Sequence, residues 1–283
     1  MNNENLLQIN IEEIIKTKNP KLYKRLPSFV LKYIKKILHQ DEINEFLRKN
    51  KDLKNISFIN AALDLFKNKI VVYGNENIPS KGKFIFVANH PLGGIESLAL
   101  IKIVNEKFPE KVKFFVNDVL LNLKNISDFF VPVNKYGAQN KELVKIISDI
   151  YYSDYQILYY PAGLVSRKIK GKIMDLPWKK QVLKKAKESE RDIIPVFIEA
   201  RNSERFYRIY QIRKMLGIKA NIELFFLVDE MFKFRNRTIK FYFGKPIDFS
   251  TFDKKYSMEV WVQKLQNFVH FELKKNINAI FTP

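Results

Sequence analysis

Residues 84–97 read Phe84-Ile85-Phe86-Val87-Ala88-Asn89-His90-Pro91-Leu92-Gly93-Gly94-Ile95-Glu96-Ser97. Five apolar residues, then Asn-His, a Pro-Leu-Gly-Gly turn and a helix opening near Glu96, describe a strand that hands over to a helix. Such a turn holds a histidine at the carboxyl end of a strand, where open α/β sheets bind their ligands. On one continuous helix, His90 and Glu96 would point to different faces. The proline and the two glycines permit a folded-back turn, which lets the carboxylate meet the imidazole and hold it as a general base. The alternative is a partly buried strand-end histidine and a carboxylate that favours the first helical turn electrostatically.

Working outward, short apolar runs alternate with helix-length stretches. Strands are expected at Ile70–Tyr73, Val112–Val116, Gln156–Tyr160, Ile193–Ile198, Ile222–Leu227 and Thr238–Phe243, beside Phe84–Ala88. Helices are expected over Ser97–Asn105, Lys141–Tyr152, Trp178–Glu188, Ser203–Leu216 and Met258–Lys274. This alternation predicts an α/β fold with a mixed, largely parallel central sheet flanked by helices. Residues 1–68 form a helical N-terminal section, 69–250 the α/β core and 251–283 a closing helix, with no linker or repeat to divide residues 1–283 into more than one domain. Within the first section, Ser28–Leu38 sets Phe29, Val30, Tyr33, Ile34, Ile37 and Leu38 at helical spacing beside Lys32, Lys35 and Lys36. It reads either as a helix packed on the domain or as a basic amphipathic helix lying on anionic lipid.

A second constellation follows the strand at Gln156–Tyr160: Tyr160-Pro-Ala-Gly-Leu-Val-Ser-Arg-Lys168. Backbone N–H groups near Gly163, the Ser166 hydroxyl and the cations Arg167 and Lys168 suit a phosphate or carboxylate. The run onward to Lys170 and Lys172 equally fits a solvated basic loop. Asp175-Leu-Pro-Trp178 reads as a helix start.

The 283 residues hold 46% apolar residues, enough for a sizeable core and against default disorder. Fifty Lys and Arg face thirty Asp and Glu, and the resulting +20 calls for an anionic partner. Zero cysteines exclude disulfides, thiolate metal sites and cysteine nucleophiles, and three histidines leave little for a metal cluster, so no metal and no cofactor is expected. No apolar run approaches the roughly 18 residues of a membrane span, and the N-terminus lacks the features of a secretory signal. A cytoplasmic protein is the simplest expectation.

The two loop stretches resemble glycerolipid acyltransferases of the lysophosphatidate acyltransferase type. Asn89-His90-Pro-Leu-Gly-Gly-Ile-Glu96 is similar to the family's first motif, in the bacterial branch that reads His-Pro-Leu-Gly-Gly-Leu-Asp. Tyr160-Pro-Ala-Gly163 through Arg167 is similar to the third block, commonly Phe-Pro-Glu-Gly-Thr-x-Ser-Arg. Val116-Asn-Asp118 with Phe130-Val-Pro-Val-Asn134 resembles the second, and Ile194-Pro195-Val196 the fourth. Here Glu96 stands where Asp is usual, five residues separate it from His90 as in the bacterial branch, and Ala162 replaces a common Glu.

The resemblance implies that His90 takes the proton of an acceptor hydroxyl or amine as it attacks an acyl thioester, with Glu96 orienting the imidazole and stabilising its charge. It implies an oxyanion site at the backbone donors of Gly93 and Gly94. Arg167, with Lys168, would hold the acceptor's anionic head group, and Asn117 and Asp118 would line the same cleft. The donor would be acyl carrier protein or a coenzyme A thioester, and the acceptor lysophosphatidate, another lysophospholipid or a lyso-aminolipid, the last being preferred. Such an enzyme would sit peripherally on the inner face of the cell membrane, its basic excess drawn to the anionic surface. An inactive lipid-binding homologue, suggested by Glu96, and a nucleic-acid-binding protein, suggested by basic charge and 14% aromatic residues, are the alternatives. No nucleic-acid recognition motif is present.

Overall fold

The computed structural model describes residues 8–116, 123–132 and 141–282. Five helices come first: α1 (Ile11–Lys18), α2 (Pro20–Arg25), α3 (Ser28–Ile37), α4 (Gln40–Lys49) and α5 (Asn55–Phe66). In α5, Phe58, Ile59, Ala62, Leu63 and Phe66 are buried at helical spacing. By contrast α3 buries no residue. Its Phe29 and Tyr33 are exposed, and of its lysines Lys35 already pairs with Glu12 at 2.6 Å.

The alternating section runs β1 (Lys69–Tyr73), β2 (Phe84–Ala88), α6 (Ile95–Lys107), β3 (Val112–Val116), β4 (Phe130–Pro132), α7 (Lys141–Tyr152) and β5 (Gln156–Tyr159). It continues with β6 (Arg167–Ile169), β7 (Lys172–Met174), α8 (Gln181–Glu188), β8 (Asp192–Glu199), α9 (Glu204–Met215), α10 (Leu227–Lys233), β9 (Thr238–Phe243) and α11 (Met258–Asn267). Seven strands form one sheet in the order β1-β9-β8-β2-β5-β3-β4. All neighbours are parallel except β8 and β9. This is the expected α/β architecture.

β2 is the central strand, with β5 and β8 on either side, and all five of its residues are buried. Phe84, Phe86 and Ala88 enter the core formed with α5 and α6, while Ile85 and Val87 enter the core formed with α8 and α11. Helices on both faces explain why β2 is continuously apolar rather than alternating. Asn89 and His90 follow at the carboxyl end of β2, the end at which open α/β sheets generally bind ligands.

Four segments depart from expectation, the first being β4, a short edge strand over Phe130–Pro132 where none was expected. Ile222–Leu227 is not a strand: a 3₁₀ turn over Ile222–Phe226 runs directly into α10. A short apolar run does not reveal its period, and this one turns Glu223 inward to Arg167 and Arg213. β6 and β7 form an unanticipated hairpin whose two connecting residues, Lys170 and Gly171, both have positive φ (47° and 80°), the geometry of a tight turn matched to strand twist. The closing helix is regular only to Asn267 and widens into a π-turn over Phe268–Glu272. Among the described residues, no helix is long and apolar enough to cross a membrane.

Candidate active site

Where β2 ends, the buried Asn89 side chain acts as a surrogate peptide group. Its Nδ2 donates to Ile198 O at 3.0 Å and its Oδ1 accepts from Ile198 N at 2.6 Å, which ties the end of β2 to β8. The next residue leaves the sheet in a set direction. His90 N donates to Asp175 Oδ1 at 3.2 Å, and His90 O accepts from Ser166 N at 2.7 Å. Ser166 Oγ in turn donates to Asp175 Oδ1 at 2.5 Å, and Trp178 Nε1 donates to Asp175 Oδ2 at 2.9 Å. A buried carboxylate thus holds both the histidine backbone and the loop of the second constellation. The His90 ring stacks on Tyr160, with centroids 4.2 Å apart and planes 16° from parallel.

The Pro91–Gly94 turn folds back over this strand end. Gly93 has φ 97°, and a Cβ there would come within 2.8 Å of Val165, so the turn needs glycine for both conformation and space. Glu96, in the first turn of α6 and without solvent exposure, places Oε1 3.0 Å from His90 Nδ1. The same carboxylate accepts from Leu92 N at 2.9 Å, Gly93 N at 2.7 Å and Gly94 N at 2.9 Å. Burial alone would push the Glu96 carboxyl up, but His90 and the Gly93 and Gly94 N–H groups outweigh it and hold the carboxyl below its ordinary value. The extra methylene of glutamate brings the carboxylate back into this nest of amides. The Gly93 and Gly94 N–H groups, expected at an oxyanion, therefore point to Glu96, a correction whose cause is the burial of that charge: an ionised carboxylate without exposure must be hydrogen-bonded.

Comparison with known proteins places this chain among relatives. Residues 13–279 match the family described as Acyltransferase. The chain belongs to the acyltransferase family. It is 43% identical over 270 residues to the lyso-glycine lipid O-acyltransferase of Bacteroides thetaiotaomicron, covering 95% of this chain and 99% of that one. It is 41% identical over 270 residues to the protein of the same description from Phocaeicola vulgatus, covering 95% and 97%. The crystal structure of the 1-acyl-sn-glycerophosphate (LPA) acyltransferase PlsC from Thermotoga maritima has a similar fold, with a TM-score of 0.50 at 17% identity over 94% of this chain and 91% of that one.

In this acyltransferase the second constellation is less open than its residue types suggest. Arg167 is buried: it donates to Glu223 Oε1 at 2.8 Å and to the carbonyls of Val165 and Ser166, and packs over the rings of Phe206 and Tyr210. Arg213 Nε lies 2.8 Å from the other oxygen of Glu223. Two guanidiniums and one buried carboxylate leave a net positive charge beside a cavity of about 410 Å³, lined also by Tyr210, Lys214 and Lys219. Lys168 reaches outward to Glu204 at 2.9 Å. Gly163 turns the chain with φ 64° after β5, its N donating to Tyr160 O at 3.0 Å. Asn117 and Asp118 lie outside the described residues.

Sequence reading missed three contributors: Asp175 as the anchor of His90, Tyr160 as the platform for its ring, and Glu223 as the partner of Arg167. Asp175 carried only a helix-start signal, because its partner is 85 residues away. A second cavity, about 490 Å³, adjoins Asn89, Pro91 and Ser166 on the β8 side, with buried His270 in its wall. Among the described residues, no group of three or more His, Cys, Asp or Glu is placed to hold a metal ion.

Proposed function

We propose that this acyltransferase moves a fatty acyl group from a thioester to the free hydroxyl of a lyso-lipid, with a lyso-glycine lipid as the acceptor, and that it works at a membrane surface. The observation that carries the mechanism is the 3.0 Å approach of His90 Nδ1 to the buried Glu96 carboxylate. With Nδ1 turned to Glu96, Nε2 is the nitrogen left to take the acceptor's proton. The hydroxyl oxygen attacks the thioester carbon, the proton passes to Nε2, and the imidazolium is stabilised by Glu96. Collapse of the tetrahedral intermediate breaks the carbon–sulfur bond, and the imidazolium returns the proton to the departing thiolate. No acyl-enzyme is needed, consistent with a chain that has no cysteine.

The acceptor class is supported by two relatives above 40% identity whose descriptions name a lyso-glycine lipid. A glycine lipid carries a carboxylate, and the cationic cavity beside Arg167 and Arg213 suits that anion better than an uncharged head. Acyl carrier protein and coenzyme A both present the required thioester. The test is incubation of purified protein with lyso-glycine lipid or lysophosphatidate and each donor, read by mass spectrometry. Diacylated product from the glycine lipid, lost in His90→Ala, is expected. Product from lysophosphatidate alone would overturn the acceptor, and no product from either would favour a lipid-binding homologue without transfer.

A further inference from the structure

We propose that the segment Lys214-Met-Leu-Gly-Ile-Lys-Ala220, at the end of α9, is a wedge that inserts into an anionic lipid leaflet and seats the enzyme there; this rests on the lipid-acceptor reading above. All seven residues are exposed. Ile212, Met215 and Leu216 occupy i, i+3 and i+4, one face of the helix, and are 52%, 78% and 64% exposed. Ile218 continues the apolar surface past Gly217. A contiguous cluster of large aliphatic side chains facing water is unusual for a soluble surface and marks an interaction site.

The tip is held in shape rather than loose. Gly217, with φ 67°, ends the helix as a left-handed cap, and Ile218 N returns to Arg213 O at 3.0 Å. Arg213, buried against Glu223, clasps Ile218 O at 2.8 Å and Lys219 O at 3.2 Å. A preformed tip loses little freedom on insertion.

Charge selects the occupant. From Arg205 to Ile222 the chain carries five Arg or Lys residues and no Asp or Glu. Arg208, Lys214 and Lys219 are exposed and form no ion pair with another described residue. Apolar residues bracketed by unpaired cations fit the headgroup boundary of an anionic leaflet, where aliphatic groups enter the acyl region and lysines meet phosphates. A second copy would bring the same cations face to face.

The chain has no cysteine, so Met215→Cys takes a single environment-sensitive fluorophore, with Lys184→Cys on the exposed side of α8 as reference. On addition of vesicles of phosphatidylcholine with phosphatidylglycerol, the emission at 215 should shift to the blue and be quenched by acyl-chain quenchers, more than at 184. The double change Met215→Asp with Leu216→Asp should weaken vesicle binding about tenfold or more and leave transfer to a detergent-dispersed acceptor unchanged. A protein that transfers in detergent but shows no shift at 215 with vesicles overturns the wedge. So does a shift that appears without vesicles as protein concentration rises, which assigns the face to a second copy. A label that enters the bilayer in a protein that transfers nothing upholds the wedge and overturns the acceptor reading.

Discussion

Ser166 N donates to His90 O at 2.7 Å across 76 residues of chain, and the Ser166 hydroxyl shares Asp175 with the His90 amide. The loop after β5 is therefore the brace of the loop after β2. The two motifs are one structure, so changes in the second should be felt by the histidine of the first.

Asp175→Asn keeps the size of the side chain but removes the charge that receives both the His90 N–H and the Ser166 hydroxyl. As a positioning change it should lower kcat about tenfold with little effect on KM and without moving the pH profile. Ser166→Ala should fall between this variant and the wild type. Steady-state kinetics over pH check both, and a shifted pH profile would mean that Asp175 exchanges protons itself.

His90→Ala should lower kcat by about 10³-fold with only a modest loss of Tm, because the buried Glu96 keeps its three backbone donors when the ring is removed. Glu96→Asp should do something different. Its shorter side chain cannot reach His90 and the three amides together, so it should reduce both kcat and Tm; calorimetry beside an acylation assay separates the two patterns.

The acid limb of stability follows from Glu96. Its carboxyl is held below its ordinary value of 4.5 in the folded protein, so the ionised form favours folding. That contribution is present above about pH 4.5 and is lost as pH falls through the lower folded value. In urea unfolding at stepped pH, the stability gap between wild type and Glu96→Gln should narrow on acidification through this window. A gap that widens would contradict the sign.

Arg167→Ala should be felt first as lost stability. It strips one of two guanidiniums from buried Glu223 and should cost about 3 to 5 kcal/mol, the range for breaking a buried pair. Lys168→Ala, at the half-exposed pair with Glu204, should cost under about 1 kcal/mol. Thermal unfolding of the two variants tests this; an unchanged Tm for Arg167→Ala would return the residue to a role in substrate binding alone.

For α3, Lys32 and Lys36 are the exposed lysines, since Lys35 is engaged by Glu12. Replacing Lys32 and Lys36 with Gln should weaken binding to anionic vesicles more than replacing exposed Lys141 and Lys145 does. Co-sedimentation at matched ionic strength decides, and equal losses would leave only diffuse attraction.

Much of this was written into local sequence. The five apolar residues of β2, the glycines that let the chain reverse, and the six-residue step from His90 to Glu96 all act within one turn of chain, where propensity and sterics suffice. Period and composition likewise identified the central strands and the helices between them. What remained illegible needed partners from elsewhere. Ile222–Leu227 has the composition of a strand, yet Glu223 within it is drawn inward by Arg167, 56 residues earlier. The cations of the second motif looked available to a ligand, but burial forced the arginine to pair. The Gly93 and Gly94 amides looked free, but a carboxylate sealed from water must collect donors, and theirs were nearest. Residue types and spacing determined the chemistry this chain carries; the parallel stacking of β5 and β8 against β2 decided which groups stand beside His90, because a buried charge takes its partner from whatever the sheet brings within reach.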